Sequence, residues 1–120
     1  MKPKIDSTSF GSITIDGETF DYDIIIRLNG QVEKREKALS KELYGTSHKI
    51  SLEEAKHIYE EGTEKVIIGT GQTGLVKLSE EAEDFFTGNK CGIELFPTQW
   101  AIERWNELEG KIVAMFHVTC

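Results

Sequence analysis

The sequence predicts an α/β domain in which helices cover a mixed sheet and an antiparallel β portion is added at the N-terminal side. Three observations lead there. Two turn dipeptides, Asp16-Gly17 and Asn29-Gly30, each separate short runs of alternating apolar residues, as hairpins require. From Ser51 onward, stretches with apolar residues at helical spacing alternate with short continuous apolar runs, the pattern of helix-strand units packed on a sheet. The run Val66-Ile67-Ile68 has no polar residue to form a solvent face, so it belongs in mid-sheet with both faces covered.

Taken in order, Ile13 and Ile15 alternate with Ser12, Thr14 and Asp16, and Asp16-Gly17 returns the chain through Thr19-Phe20 as a first hairpin. A strand follows from Tyr22 through Ile24, Ile26 and Leu28, with Asp21, Asp23 and Arg27 on the other face and Ile25 marking partial cover on both sides. Asn29-Gly30 supplies a type I′ turn, and Gln31 to Arg35 returns as a strand whose few apolar residues suit a sheet edge. Glu36 to Thr46 reads as a charged loop with one helical turn. Ser51 with Glu54 forms a capping box, and Leu52, Ala55, Ile58 and Tyr59 make the stripe of a helix running to about Glu61 and stopped by Gly62. Lys65 to Gly69 is the central strand. After an extended Leu75 to Leu78, Ser79 caps a helix with Ala82, Phe85 and Phe86 inward, ended by Gly88-Asn89. Cys91 to Phe96 is a strand closed by Pro97; Thr98 caps a helix to Glu109 with Ala101, Trp105 and Leu108 on one face; Gly110 stops it. Lys111 to Val118 is the last strand.

With 120 residues the chain fits one domain, 1–120, and leaves no room for a second. A formal charge of −7 opposes binding to a phosphate backbone or an anionic membrane. The apolar runs fall far short of the roughly 20 residues needed to span a bilayer, and Met1-Lys2-Pro3-Lys4 opens no signal peptide, so a cytoplasmic location is expected. Cys91 and Cys120 lack the spacing of a disulfide framework or a zinc site, and neither a metal nor a cofactor is expected.

The one local pattern that could specify a ligand is Gly69-Thr70-Gly71-Gln72-Thr73-Gly74, which matches G-x-G-x-x-G just past a buried strand. In a dinucleotide site the third glycine lies inside a helix whose N-terminus holds the pyrophosphate. Here Gly74 is followed by the extended Leu75-Val76-Lys77-Leu78, and the helix that starts at Ser79 opens with Glu80, Glu81, Glu83 and Asp84, which repel phosphate. The preferred reading is a tight backbone turn; a backbone-lined pocket for a small ligand, using Gly69, Thr70, Gly71 and Gln72, is the alternative.

The remaining candidates are sparse. His48 lies in a polar loop that could face the same sheet end as Gly69. His57 falls among glutamates on a solvated helix face. His117 and Thr119 point to one face of the last strand, and Val118 and Cys120 to the other, which argues against a His-Cys pair. Trp100 points away from the Ala101, Trp105 and Leu108 stripe and marks a candidate partner surface.

The segments Thr46-Ser47-His48-Lys49 and Gly69-Thr70-Gly71, Thr98 with Ala101, and the ending Phe116-His117-Val118-Thr119-Cys120 carry a likeness. Over nearly its whole length the chain resembles the adipogenesis-associated Mth-type domain family. These are small archaeal and bacterial proteins whose human relatives include a mitochondrial respiratory complex I assembly factor. The resemblance implies a single three-layer α/β/α domain with a mixed sheet and an additional β portion. It brings no enzymatic activity with it, and it places the expected functional surface at Gly69 to Gly71, with His48 and Thr98 nearby. The charged segment Glu33 to Tyr44 is longer than in the human relatives. The expected function is a non-catalytic interaction or assembly module with a protein partner or a second copy; the alternative is a small-molecule binding protein or enzyme using the loop 69–74.

Overall fold

The computed structural model describes residues 2–120. In chain order the elements are β1 (Ile5–Ser9), β2 (Ser12–Ile15), β3 (Glu18–Phe20), β4 (Ile24–Ile26), β5 (Val32–Lys34), α1 (Ala38–Tyr44) and β6 (Lys49–Ile50). There follow α2 (Leu52–Ile58), β7 (Lys65–Gly69), β8 (Lys77–Leu78), α3 (Glu80–Gly88), β9 (Gly92–Phe96), α4 (Thr98–Glu107) and β10 (Ile112–Phe116). The central sheet has the order β5-β4-β10-β7-β9. β10, β7 and β9 run parallel, and β4 is antiparallel to both β10 and β5, so the sheet is mixed.

Alternation along the central strands divides the core into two. Ile24, Ile26, Ile67, Ile112, Ala114 and Phe116 face one side, where the antiparallel sheet β1-β2-β3 and the Ala101 and Trp105 face of α4 cover them. Ile25, Val66, Ile68, Val113 and Met115 face the other, under Ala55 and Ile58 of α2 and Ala82 and Phe86 of α3. The result is three layers, with one outer layer shared between a helix and a small sheet. Each fully buried isoleucine contributes about 1.5–3 kcal/mol relative to exposure, which is why a strand apolar on both sides, such as β7, can lie only in mid-sheet.

Several local expectations are corrected. β1 was not anticipated, because only Ile5 of its residues is buried and its pairing with β2 carries an irregularity between Ile5 and Ser7. Asp16 and Gly17 both have positive φ (47° and 81°), as a type I′ turn demands. Asn29 does not; only Gly30 does (φ 88°), and Gly30 N–H bonds the Arg27 carbonyl, giving a three-residue loop in place of I′. The charged loop after β5 contains a seven-residue helix, α1, closed by Gly45 in the left-handed conformation (φ 74°). α2 ends at Ile58, short of Glu61, since Arg27 Nη1 donates to the carbonyls of His57 (2.8 Å) and Ile58 (3.1 Å) and so caps the helix from outside. His57 is accordingly half-buried beside Arg27 and not on an open face.

The capping box at α2 is half made. Ser51 Oγ accepts the Glu54 N–H (3.1 Å), but the Ser51 N–H goes to Ser40 Oγ (2.9 Å) and the Glu54 carboxylate turns inward. At α4, Pro97 takes the place before the first turn and Thr98 lies inside it with its hydroxyl engaged elsewhere. The far end of α4 stops at Glu107, where Lys2 Nζ donates to the carbonyls of Trp105 and Leu108.

Candidate functional site

Register brings a set of polar groups to one end of the central sheet. Phe116 pairs with Ile24 and Ile24 with Lys34, so the residues just outside those pairs, His117, Asp23 and Arg35, lie side by side. All three are buried. Asp23 Oδ2 bonds His117 Nδ1 (2.7 Å) and accepts from Arg35 Nη1 (2.9 Å), while its Oδ1 accepts the Val118 N–H (2.9 Å). Arg35 then reaches α2: Nε donates to Glu54 Oε2 (2.6 Å), Nη2 to Glu54 Oε1 (3.0 Å) and to the Ser47 carbonyl (2.7 Å). Ser40 of α1 donates its hydroxyl to the same Glu54 carboxylate.

The electrostatics follow from that geometry. Burial alone would raise the Asp23 pKa, but the bonds from His117, Val118 N–H and Arg35 outweigh it and hold the carboxyl at about 2, against 3.8 for the ordinary side chain. Burial works against the charge on Arg35 as well, and Glu54 and Asp23 more than offset it, so its pKa is raised. Among the described residues, every buried side-chain nitrogen and oxygen has a hydrogen-bond partner.

The glycine loop packs against the segment 117–120. His117 N–H donates to the Gly69 carbonyl (2.9 Å), Gln72 N–H to the Thr119 carbonyl (2.7 Å) and Thr73 Oγ1 to the Cys120 carbonyl (3.2 Å). A Cβ on Gly71 (φ 105°) would lie 2.7 Å from the Cys120 carbonyl carbon and oxygen and 2.8 Å from the His117 ring; one on Gly69 would lie 2.7 Å from Phe116 Cδ1. Gly71 therefore meets both needs that only glycine fills, a positive φ and a close backbone approach. The space above the loop is occupied by the protein's own chain.

The candidates from sequence are brought partly together. His48 stands edge-on to His117 with ring centroids 5.4 Å apart. Thr98 Oγ1 donates to the His117 carbonyl (2.6 Å) and accepts the Gly71 N–H (2.9 Å), so Thr98, Gly69 and Gly71 form one hydrogen-bonded knot around His117. Thr70 N–H is used by the Phe96 carbonyl (2.8 Å), and Gln72 Nε2 reaches away to Thr8 Oγ1 (3.2 Å). Trp100 lies apart from this knot and is 58% exposed.

Asp23, Arg35 and Glu54 were missed. Asp23 reads as the polar face of a strand, Arg35 as an edge residue and Glu54 as half of a cap. The available signal was position: Asp23 directly precedes Ile24-Ile25-Ile26 and His117 directly follows the apolar run ending at Phe116, so both stand at the ends of buried strands.

A cavity of about 430 Å³ opens beside this cluster, lined by Tyr22, Asp23, Lys34, Lys37, Val118 and Thr119 among others. Lys37 Nζ lies 3.6 Å from Asp23 Oδ2, and Lys34 Nζ 5.3 Å from the centre of the Tyr22 ring. A second concavity of about 460 Å³, between Lys2–Lys4 and the end of α4, contains none of these groups. Among the described residues no group of three or more His, Cys, Asp and Glu side chains converges as metal ligands would, and no helix is long and apolar enough to cross a membrane.

Residues 5–117 match a family described as protein of unknown function, DUF498/DUF598. The conserved hypothetical protein PH1505 from Pyrococcus horikoshii OT3 is 37% identical with a TM-score of 0.91, the match covering 98% of this chain and 99% of that one. The protein MT938 is 32% identical with a TM-score of 0.85, over 99% of this chain and 100% of that one. A Mth938-like domain from Bordetella pertussis is 17% identical with a TM-score of 0.61, over 97% and 85% of the two chains, a likeness of fold alone. No curated protein matches. A family match that spans residues 5–117, together with relatives at 37% and 32% identity along their full length, makes this chain a member of the DUF498/DUF598 family, of unknown function, in agreement with its Mth-type resemblance.

Proposed function

We propose that this chain is a protein-interaction module that pairs with a second copy of itself through the open edge of β9. The observation that carries the reading is an asymmetry between the two edges of the central sheet. At β5 the edge shows the exposed charges of Glu33 and Lys34, which discourage strand addition. At β9 the edge shows Leu95 and Phe96, with the exposed Trp100 one turn into the following helix.

The backbone of β9 suits such pairing. Gly92 N–H donates to the Glu64 carbonyl and the Phe96 carbonyl accepts from Thr70, so even-numbered residues face β7 and Ile93 and Leu95 direct their N–H and C=O groups outward. An antiparallel two-fold pairing sets Ile93 opposite Leu95 of the second copy, with Glu94 at the axis. Each Glu94 brings its own cations, Lys65 Nζ and Arg104 Nε both at 2.6 Å, so the two carboxylates meet already compensated.

A ligand-binding reading is supported by the cavity beside Asp23 more than by the loop 69–74, whose space is taken by residues 117–120. Sedimentation equilibrium tests the pairing. A dimer is expected for the wild type and a monomer for Leu95→Lys, which places like charges on the shared edge while leaving the core untouched. A wild-type monomer at all concentrations, or a dimer indifferent to Leu95→Lys, would overturn the proposal.

A further inference from the structure

From Thr119, which lines the cavity beside Asp23, a hydroxyl, an imidazole and a carboxylate stand in line. Asp23 Oδ2 lies 2.7 Å from His117 Nδ1, and the far ring nitrogen, Nε2, lies 3.2 Å from Thr119 Oγ1. The half-exposed Thr119 and the buried Asp23 both line the cavity, and His117 is buried behind them. Asp23 is an ionised carboxylate that also takes the Val118 N–H and Arg35, so it acts only as acceptor and fixes the proton on Nδ1. Nε2 is then a lone pair aimed at the threonine hydroxyl. A nucleophile within reach of a base that a third group orients is the arrangement that activates serine and threonine hydroxyls.

We infer that Thr119, His117 and Asp23 form an acyl-transfer site for small activated carboxylic esters bound in this cavity, with Thr119 as nucleophile, His117 as base and Asp23 as its positioning residue. Thr119 Oγ1 attacks the ester carbonyl carbon while its proton passes to His117 Nε2. The carbonyl oxygen becomes an oxyanion, and Lys37, whose ammonium lies 3.6 Å from Asp23 and lines the same cavity, supplies the positive charge at hand. The bond to the leaving alcohol breaks, the alcohol takes the proton from Nε2, and the acyl group remains on Thr119. Water, deprotonated by the same nitrogen, then cleaves the acyl-threonine to the carboxylic acid and restores the hydroxyl. This chemistry lies at the β5 side of the sheet, and the pairing edge β9 is at the other.

The test uses p-nitrophenyl acetate with the full chain carrying Cys120→Ser, so that the nearby thiol cannot be acetylated. The expected result is release of p-nitrophenolate with the acetyl group found on Thr119 by peptide mass spectrometry. Thr119→Ala should lower the rate by about a hundredfold or more, the scale of assisted proton transfer, and Thr119→Ser should restore it. Because Thr119 is half-exposed, near-ultraviolet circular dichroism can confirm that both variants keep the wild-type fold. No release above the buffer rate, an unchanged rate in Thr119→Ala, or acetylation only at lysines such as Lys34 and Lys37 would overturn the inference.

Discussion

The side chain that organises the polar cluster is Arg35, since its guanidinium bridges Asp23 on the β4 side and Glu54 on α2 in one fork, with the Ser47 carbonyl completing the set. Buried charge of this kind is tolerated because each group is satisfied; removing one partner leaves the others uncompensated. Asp23 makes this measurable through pH. Its folded pKa, about 2, lies below the ordinary 3.8, so the carboxylate contributes stability that is fully present above about pH 4 and is lost as pH falls through the folded value. The difference corresponds to something on the order of 2 kcal/mol. Urea unfolding between pH 6 and pH 2 should show that loss in the wild type and a shallower acid decline, from a lower starting stability, in Asp23→Asn. A decline of the same size in the variant would show that other carboxylates dominate.

Between elements, the loop from β7 to β8 illustrates why a motif must be read with what surrounds it. The letters G-x-G-x-x-G are present, yet β8 pairs with β6 in parallel and α3 begins only at Glu80, so the glycines join two extended segments. Their role is to admit the chain 117–120. Gly71→Ala should therefore destabilise by about 2–5 kcal/mol, combining a strained positive φ with a Cβ driven into the Cys120 backbone, as urea midpoints would report. A cost below about 1 kcal/mol, the level of a helix-interior glycine, would mean that residues 117–120 yield easily. The same scale explains α1: its helix is stabilised less by an apolar stripe than by Ser40, which reaches the Ser51 N–H and the Glu54 carboxylate. The helix-like spacing of Ala38, Leu39 and Leu43 announces one turn there, and the full seven residues depend on these distant polar partners.

Across the molecule the two apolar cores share one sheet, and each of β7 and β10 contributes to both. Cys91 lies in the core beneath α2 and α3, and burial pushes its thiol up to about 11. A disulfide-exchange reagent at neutral pH should label the half-exposed Cys120 first and Cys91 only at the rate of global opening, with labelling of Cys91 accelerating in step with urea. Equal labelling of both thiols in the native protein would show that the α2-α3 layer opens locally.

The strands β4, β7 and β10, the helices α2, α3 and α4, the mixed sheet and the absence of a phosphate-binding helix start after Gly74 were all legible in the chain, because burial writes itself as local apolar spacing and turns as local residue choice. The meeting of Asp23, Arg35, Glu54 and His117, the capture of Thr98 by Gly71 and His117, and the edge position of β9 were decided only in three dimensions. Polar residues that satisfy one another across the fold leave no period in the sequence. Their partners lie 12 to 94 residues apart and are set by strand register, which the spacing of one segment does not contain.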